Sequence, residues 1–107
     1  MATKLKAIHP GRILATEFMA PIGLTSYRLA KELGAAVPTV NEVVRGRARI
    51  SPEMGLLLAT FFGTSESFWI TLQSDYDRRQ AREKLAGRLR RVKPWPRDEK
   101  GQLLPVR

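Results

Sequence analysis

Proline and glycine fall at the edges of nearly every apolar-periodic segment in this 107-residue chain, and that punctuation leaves room for little except short helices. Pro10 suits a first helical turn and Pro21 cannot continue a helix, which predicts a helix over 10–20 with Ile13, Leu14 and Phe18 on one face. Thr25 is a good cap for SYRLAKEL and Gly34 a good stop, giving a second helix over 26–33. After the break Gly34-Ala35-Ala36, Pro38 lies in the first turn of VPTVNEVVR and Gly46 follows it, giving a third over 37–45. Ser51-Pro52-Glu53 opens a fourth over 52–62, closed by Gly63; its Met54, Leu57, Leu58, Phe61 and Phe62 predict a place at the centre of the core. Ser65 caps a fifth over 66–86, with Gly87 as its terminus.

The fold class expected is therefore all-α, in one domain of five helices over 1–87 followed by a tail over 88–107. A chain of this length supports a single modest core. The tail holds three prolines, seven Lys or Arg and two acids, and is expected to be a mobile basic arm. On the fifth helix, Phe68, Leu72 and Tyr76 recur at i+4 spacing, and Trp69 and Ile70 widen the apolar surface. That excess is either extra core packing or a subunit interface of a homodimer, for which the candidates are Phe68, Trp69, Ile70, Leu72, Gln73 and Tyr76.

Lys plus Arg number 19 against 10 acids, a formal charge of +9. Such an excess favours a polyanionic partner, because neutralising phosphates releases condensed counterions, although an inert solvated surface has the same composition. With no cysteine there is neither a disulfide framework nor a thiolate metal site, which is compatible with a cytoplasmic protein. MATKLKAIHPGR lacks the apolar core of a signal peptide, and the longest apolar stretch, residues 55–63, is too short to span a bilayer, so no membrane role is expected. The single histidine, His9, has no second histidine or cysteine beside which to act, and it precedes Pro10 where a helix-entry role fits. No glycine-rich phosphate loop occurs. No catalytic residue, metal or cofactor is expected.

The second and third segments fit a helix-turn-helix: small Ala30 where two helices cross, Gly34 in the turn, and buried aliphatics at Leu29, Leu33, Val40 and Val43. A plain helical hairpin carries the same pattern. Burying Val40 and Val43 turns Val37, Pro38, Thr39, Asn41, Glu42 and Arg45 outward. Asn41 is suited to bidentate pairing with adenine, Glu42 to accepting from cytosine, and Val37, Pro38 and the Thr39 methyl to thymine methyls. Ser26 and Tyr27 at a helix start, with Arg28, Arg45, Arg47 and Arg49, are candidates for phosphate contact. The segment RGRARIS is equally readable as an exposed turn.

HPGRIL, YRLAKELG, VNEVVRGR, FFGTSESFW and LQSDYDRRQAREKL together resemble the HigA-type antitoxins of bacterial toxin-antitoxin modules, within the wider lambda-repressor-like helix-turn-helix group. The resemblance covers about residues 9–85, and FFGTSESFW with LQSDYD is its most specific part. It implies a dimer that binds a palindromic operator in its own promoter and silences a small RelE-like toxin, an mRNA-cleaving ribonuclease. The 37–45 segment would then be the recognition helix, and the fifth helix would help form the dimer. Three departures stand out: Arg12 where the family usually has glutamate, Ala36 where a capping serine or threonine is usual, and the basic arm. A stand-alone regulator with the same helices, and a protein-binding adaptor using the fifth helix and the Trp95 arm, are the competing expectations.

Overall fold

The computed structural model describes residues 7–107, and among them it contains six helices and no strand. α1 spans Pro10–Ile13, α2 Ser26–Leu33, α3 Val37–Val44, α4 Pro52–Phe62, α5 Phe68–Lys84 and α6 Ala86–Arg91. The bounds of α2 and α4 are those the caps predict. Thr25 Oγ1 accepts the Arg28 amide at 3.1 Å and Ser51 Oγ accepts that of Met54 at 3.1 Å, while Gly34 and Gly63 close the two helices with φ of 68° and 72°. None of the described helices is long and apolar enough to cross a membrane.

The first segment departs from expectation. α1 widens at once into a π-helical stretch, Leu14–Met19, and tightens into a 3-10 turn, Ala20–Ile22, so the helical path passes through Pro21 and ends at Gly23. Proline has no amide hydrogen to donate and its ring crowds the carbonyl four residues back. Widening the preceding turns, so that the Ala20 amide reaches the Ala15 carbonyl, relieves that crowding.

The fifth helix also differs at both ends. It starts at Phe68 rather than 66, and Ser65 gives it no side-chain cap; the Ser65 carbonyl accepts the Phe68 amide instead. Packing sets this start: Phe18, Phe62, Phe68 and Trp69 form one aromatic cluster, with ring centroids 4.7 Å apart for Phe18 and Trp69 and 5.1 Å for Phe18 and Phe62. At the other end Gly87 is no terminus, since the chain breaks at Leu85 and α6 runs across Gly87. The tail beyond folds locally. The Trp95 indole donates to the Leu104 carbonyl at 2.7 Å, Asp98 accepts the amides of Lys100 and Gln102, and Arg97 and Leu103 form an antiparallel bridge. The segment expected to be a mobile basic arm thus carries most of α6 and a hairpin turn.

The core comprises Leu14, Met19, Leu29, Ala30, Val40, Val43, Ile50, Met54, Leu58, Ala59 and Trp69. α4 contributes less than expected, because Leu57 and Phe61 are 41% and 37% exposed and only Met54, Leu58 and partly Phe62 of the predicted set face inward. Two residues expected on a dimer surface lie inside the single chain. Trp69 is 0% exposed and Gln73 3% exposed, so neither has surface to offer a partner. Phe68 and Leu72 are partly buried and also pack on the core.

Two contacts hold the loop that follows α3. On one side Gly11 lies so close to α3 that a Cβ there would stand 1.8 Å from the Val43 carbonyl oxygen. His9 accepts the Gly11 amide on Nδ1 at 2.9 Å, sets its ring edge-on to Tyr76 at 5.1 Å, and passes beside Gly46. On the other side Gln73 Oε1 accepts the Ile50 amide at 2.8 Å, Gln73 Nε2 donates to Asp77 at 2.9 Å, and Asp77 accepts Arg49 at 2.6 Å.

Removing the amide partner of Ile50 with Gln73→Leu leaves a buried N–H unpaired, and should lower stability by about 1–3 kcal/mol in a urea titration. Replacing Gly11 with alanine should cost more than a surface substitution, since backbone rather than a flexible side chain blocks the new methyl. Partial burial holds the His9 imidazole below its ordinary value of 6.5, against the opposing pull of the Asp77 carboxylate. A depressed histidine stabilises the fold above that value and loses its contribution as pH falls below it, when the unfolded chain takes up the proton first. The urea midpoint should therefore drop between pH 7 and pH 5, and drop less in His9→Asn, which retains a capping acceptor.

Candidate nucleic-acid interface

α2 and α3 pack on each other, and Leu29 and Ala30 of the one and Val40 and Val43 of the other are buried in the same core. The turn between them is closed by the Gly34 amide on the Lys31 carbonyl at 3.2 Å and the Ala35 amide on the Ala30 carbonyl at 2.9 Å. This pair of bonds needs a left-handed residue at 34, which glycine supplies without a steric penalty. At the far end of α3 the same device recurs. Gly46 has φ of 76°, and the Arg47 amide reaches back to the Glu42 carbonyl at 2.9 Å.

With Val40 and Val43 inward, the structure sets Val37, Pro38, Thr39 and Glu42 on the exposed side of α3, and Asn41 half-buried at its edge. Val37 is 40% exposed, an unusual position for a valine with no neighbour to cover it. Ala36 stands at the cap position of α3 and gives no side-chain hydrogen bond, so the first-turn amides of Val37 and Thr39 have no capping oxygen; Pro38 has no amide to satisfy. These outward amides adjoin the exposed Val37-Pro38-Thr39 surface.

The six residues considered for phosphate contact divide by their partners. Tyr27 is exposed at the start of α2 with the Lys31 ammonium 5.6 Å from its ring centre, and Ser26 is half-buried beside it. Arg28 pairs with Glu32 at 2.7 Å, Arg49 with Asp77 at 2.6 Å, and Arg47 approaches Glu42 to 3.8 Å. Glu42 is thus tied to a cation from the following loop, which sequence spacing alone does not disclose. Arg45 ends α3 exposed. Sequence reasoning missed Gly11, His9, Gln73 and Asp77 as the groups that hold this loop. The HPG segment and the i, i+4 pair Gln73 and Asp77 are the available signals, but each acts on a partner distant in sequence.

Residues 17–69 match the family described as Helix-turn-helix. Among curated relatives, virulence-associated protein I of Dichelobacter nodosus is 36% identical over 80 residues, covering 75% of this chain and 74% of that protein. The antitoxin HigA-1 of Vibrio cholerae is 30% identical over 92 residues, covering 86% of this chain and 87% of its own length. Among solved structures, the Pseudomonas aeruginosa antitoxin HigA with the higBA promoter superposes with a TM-score of 0.79 at 36% identity, over 82% of this chain and 97% of that one. The crossing of α2 and α3, the outward edge of α3 and these likenesses converge, and the chain belongs to the helix-turn-helix family of the HigA antitoxins.

Proposed function

We propose that this protein binds operator DNA as a homodimer, represses its own operon and neutralises a RelE-like mRNA-cleaving toxin. The observation that carries the reading is the outward face of α3. Val37, Pro38 and Thr39 stand exposed at an uncapped helix start, and Val40 and Val43 fix the pitch of that helix from beneath. The relative solved with promoter DNA supports a DNA-binding role here. The role is binding, with Val37, Pro38, Thr39, Asn41 and Glu42 reading bases and Ser26, Tyr27, Arg28, Arg45, Arg47 and Arg49 positioning the backbone.

The dimer surface proposed shifts from the fifth helix alone to the face it shares with α4. Leu56, Leu57 and Phe61 are exposed on α4, and Ile70 of α5, itself 37% exposed, packs beside Gly55 of α4. Exposed apolar groups on adjoining helices favour burial against a second copy. Tyr76 is half-buried with its ring edge-on to His9.

Gel shifts with the promoter fragment test the reading. Asn41→Ala should relax sequence preference by about 1–3 kcal/mol at one base position. Glu42→Ala and Arg47→Ala should be non-additive in the double variant, because the two side chains face each other. Leu57→Glu should give monomers in light scattering and lose promoter affinity. In the dimer the two α3 helices should lie about 34 Å apart, one turn of DNA. Co-expression with the adjoining reading frame should yield a stable complex and suppress mRNA cleavage; promoter binding without any such partner would leave a stand-alone regulator, and absence of promoter preference would overturn the reading.

A further inference from the structure

The positive charge of this chain is not spread over it. Residues 78–107 hold eleven Lys and Arg against three acids, a balance of +8, whereas the first 77 residues, helix-turn-helix included, carry only +1. Within that body Arg28, Arg47 and Arg49 already face Glu32, Glu42 and Asp77. At the start of the basic stretch Arg78 and Arg79 both bind Asp75, whose carboxyl is held below its ordinary range, chiefly by the hydrogen bond from Arg78. From Arg82 onward, no cation among the described residues has an acidic partner.

Placement adds to composition. α5 runs from the aromatic cluster at Phe68 to the loop after α3, where Gln73 and Asp77 tie it to Ile50 and Arg49. Whatever follows Asp77 therefore leaves the body at the end that carries Arg45, Arg47 and Arg49. At 1.5 Å per residue, the end of α5 lies about 10 Å beyond that tie. α6 follows with Arg88, Arg90 and Arg91 in six residues, all exposed, and the hairpin closed by Trp95 and Leu104 carries Arg97 and Lys100. The radius of gyration of 19.1 Å, against about 13 Å for a compact chain of this length, is that of an extended molecule, and every residue from Arg88 to Arg107 is exposed.

We propose that the arm from Arg82 to Arg107 is a second contact with double-stranded DNA, gripping phosphates beside the site read by α3, and that it sets the salt dependence of binding. The proposal rests on the DNA-binding reading above. Affinity that comes from phosphate neutralisation scales with the number of free cations presented, and here most of those cations lie in the arm. An arm of this kind adds affinity for any sequence and leaves the preference between sequences to α3.

The test uses the full chain with Arg88→Gln, Arg90→Gln, Arg91→Gln and Lys93→Gln combined. Fluorescence anisotropy would follow binding to a promoter duplex and to a scrambled duplex of equal length, over about 50–200 mM potassium chloride. The slope of log affinity against log salt should become shallower by about three to four per protomer, with both duplexes weakened alike and their affinity ratio kept. A companion variant with Arg88→Lys, Arg90→Lys and Arg91→Lys should retain the wild-type slope, and equal thermal melts would show that folding is intact. An unchanged slope in the glutamine variant overturns the proposal and leaves the α3 reading standing. A wild-type chain without affinity for either duplex overturns both.

Discussion

The interaction on which this molecule depends is the packing of α3 on α2, which buries Val40 and Val43 in the same core as Leu29 and Ala30. α3 has eight residues, barely two turns, and a helix of that length has no stability of its own in water. It exists because burying two valines on one side repays the ordering of the segment, and the same burial decides which residues remain outside. Alanine at 30 lets the helix backbones come close, so the crossing angle is set by side chains too short to rearrange. The outward edge of α3 follows from this seating; any change that rotates α3 about its axis exchanges a buried valine for Asn41 or Glu42.

A two-turn helix also needs its far end held, and here the fold applies two unlike restraints to one loop. Gly11 brings the start of α1 against the Val43 carbonyl, an approach that tolerates no side chain at position 11. From the opposite side Gln73 supplies the acceptor for the Ile50 amide. The two bonds made by Asp77 differ in weight. Its pair with Arg49 is exposed, and exposed pairs contribute about 0–1 kcal/mol, whereas its bond from Gln73 orients a buried amide that has no water to fall back on. Gln73 is thus the stronger restraint, and the ion pair outside it steadies a side chain already placed.

The segments legible in the sequence were those whose ends are fixed by local chemistry. Thr25 with Gly34, and Ser51 with Gly63, state both termini of α2 and α4 within a few residues of chain, and the helix-turn-helix follows from them. Where a distant partner decides, the sequence is mute. Pro21 reads as a stop, yet the chain widens its helix and passes through it; Trp69 reads as surplus apolar surface, yet its ring is buried against Phe18 and Phe62. Gln73 reads as a candidate for a dimer surface because no local pattern reveals that its side chain accepts the buried amide of Ile50. The candidate base-reading face was legible for the opposite reason: its exposure follows from the periodicity of two valines, without reference to anything far away.

Composition pointed to a polyanion, but the location of the charge changes what that means. The outward face of α3 presents valine, proline, threonine, asparagine and one glutamate, and it carries no positive charge of its own except at Arg45. Contacts of that kind, hydrogen bonds to base edges and methyl packing, are short in range and reward only a helix already in register. They supply little attraction at a distance, where Coulomb forces act. In this chain the two tasks fall on different segments. In the proposed mode of binding the rigid one, nearly neutral, would discriminate; the charged one extends from the end of α5, where the same bonds that fix the loop after α3 also fix the direction in which the arm departs.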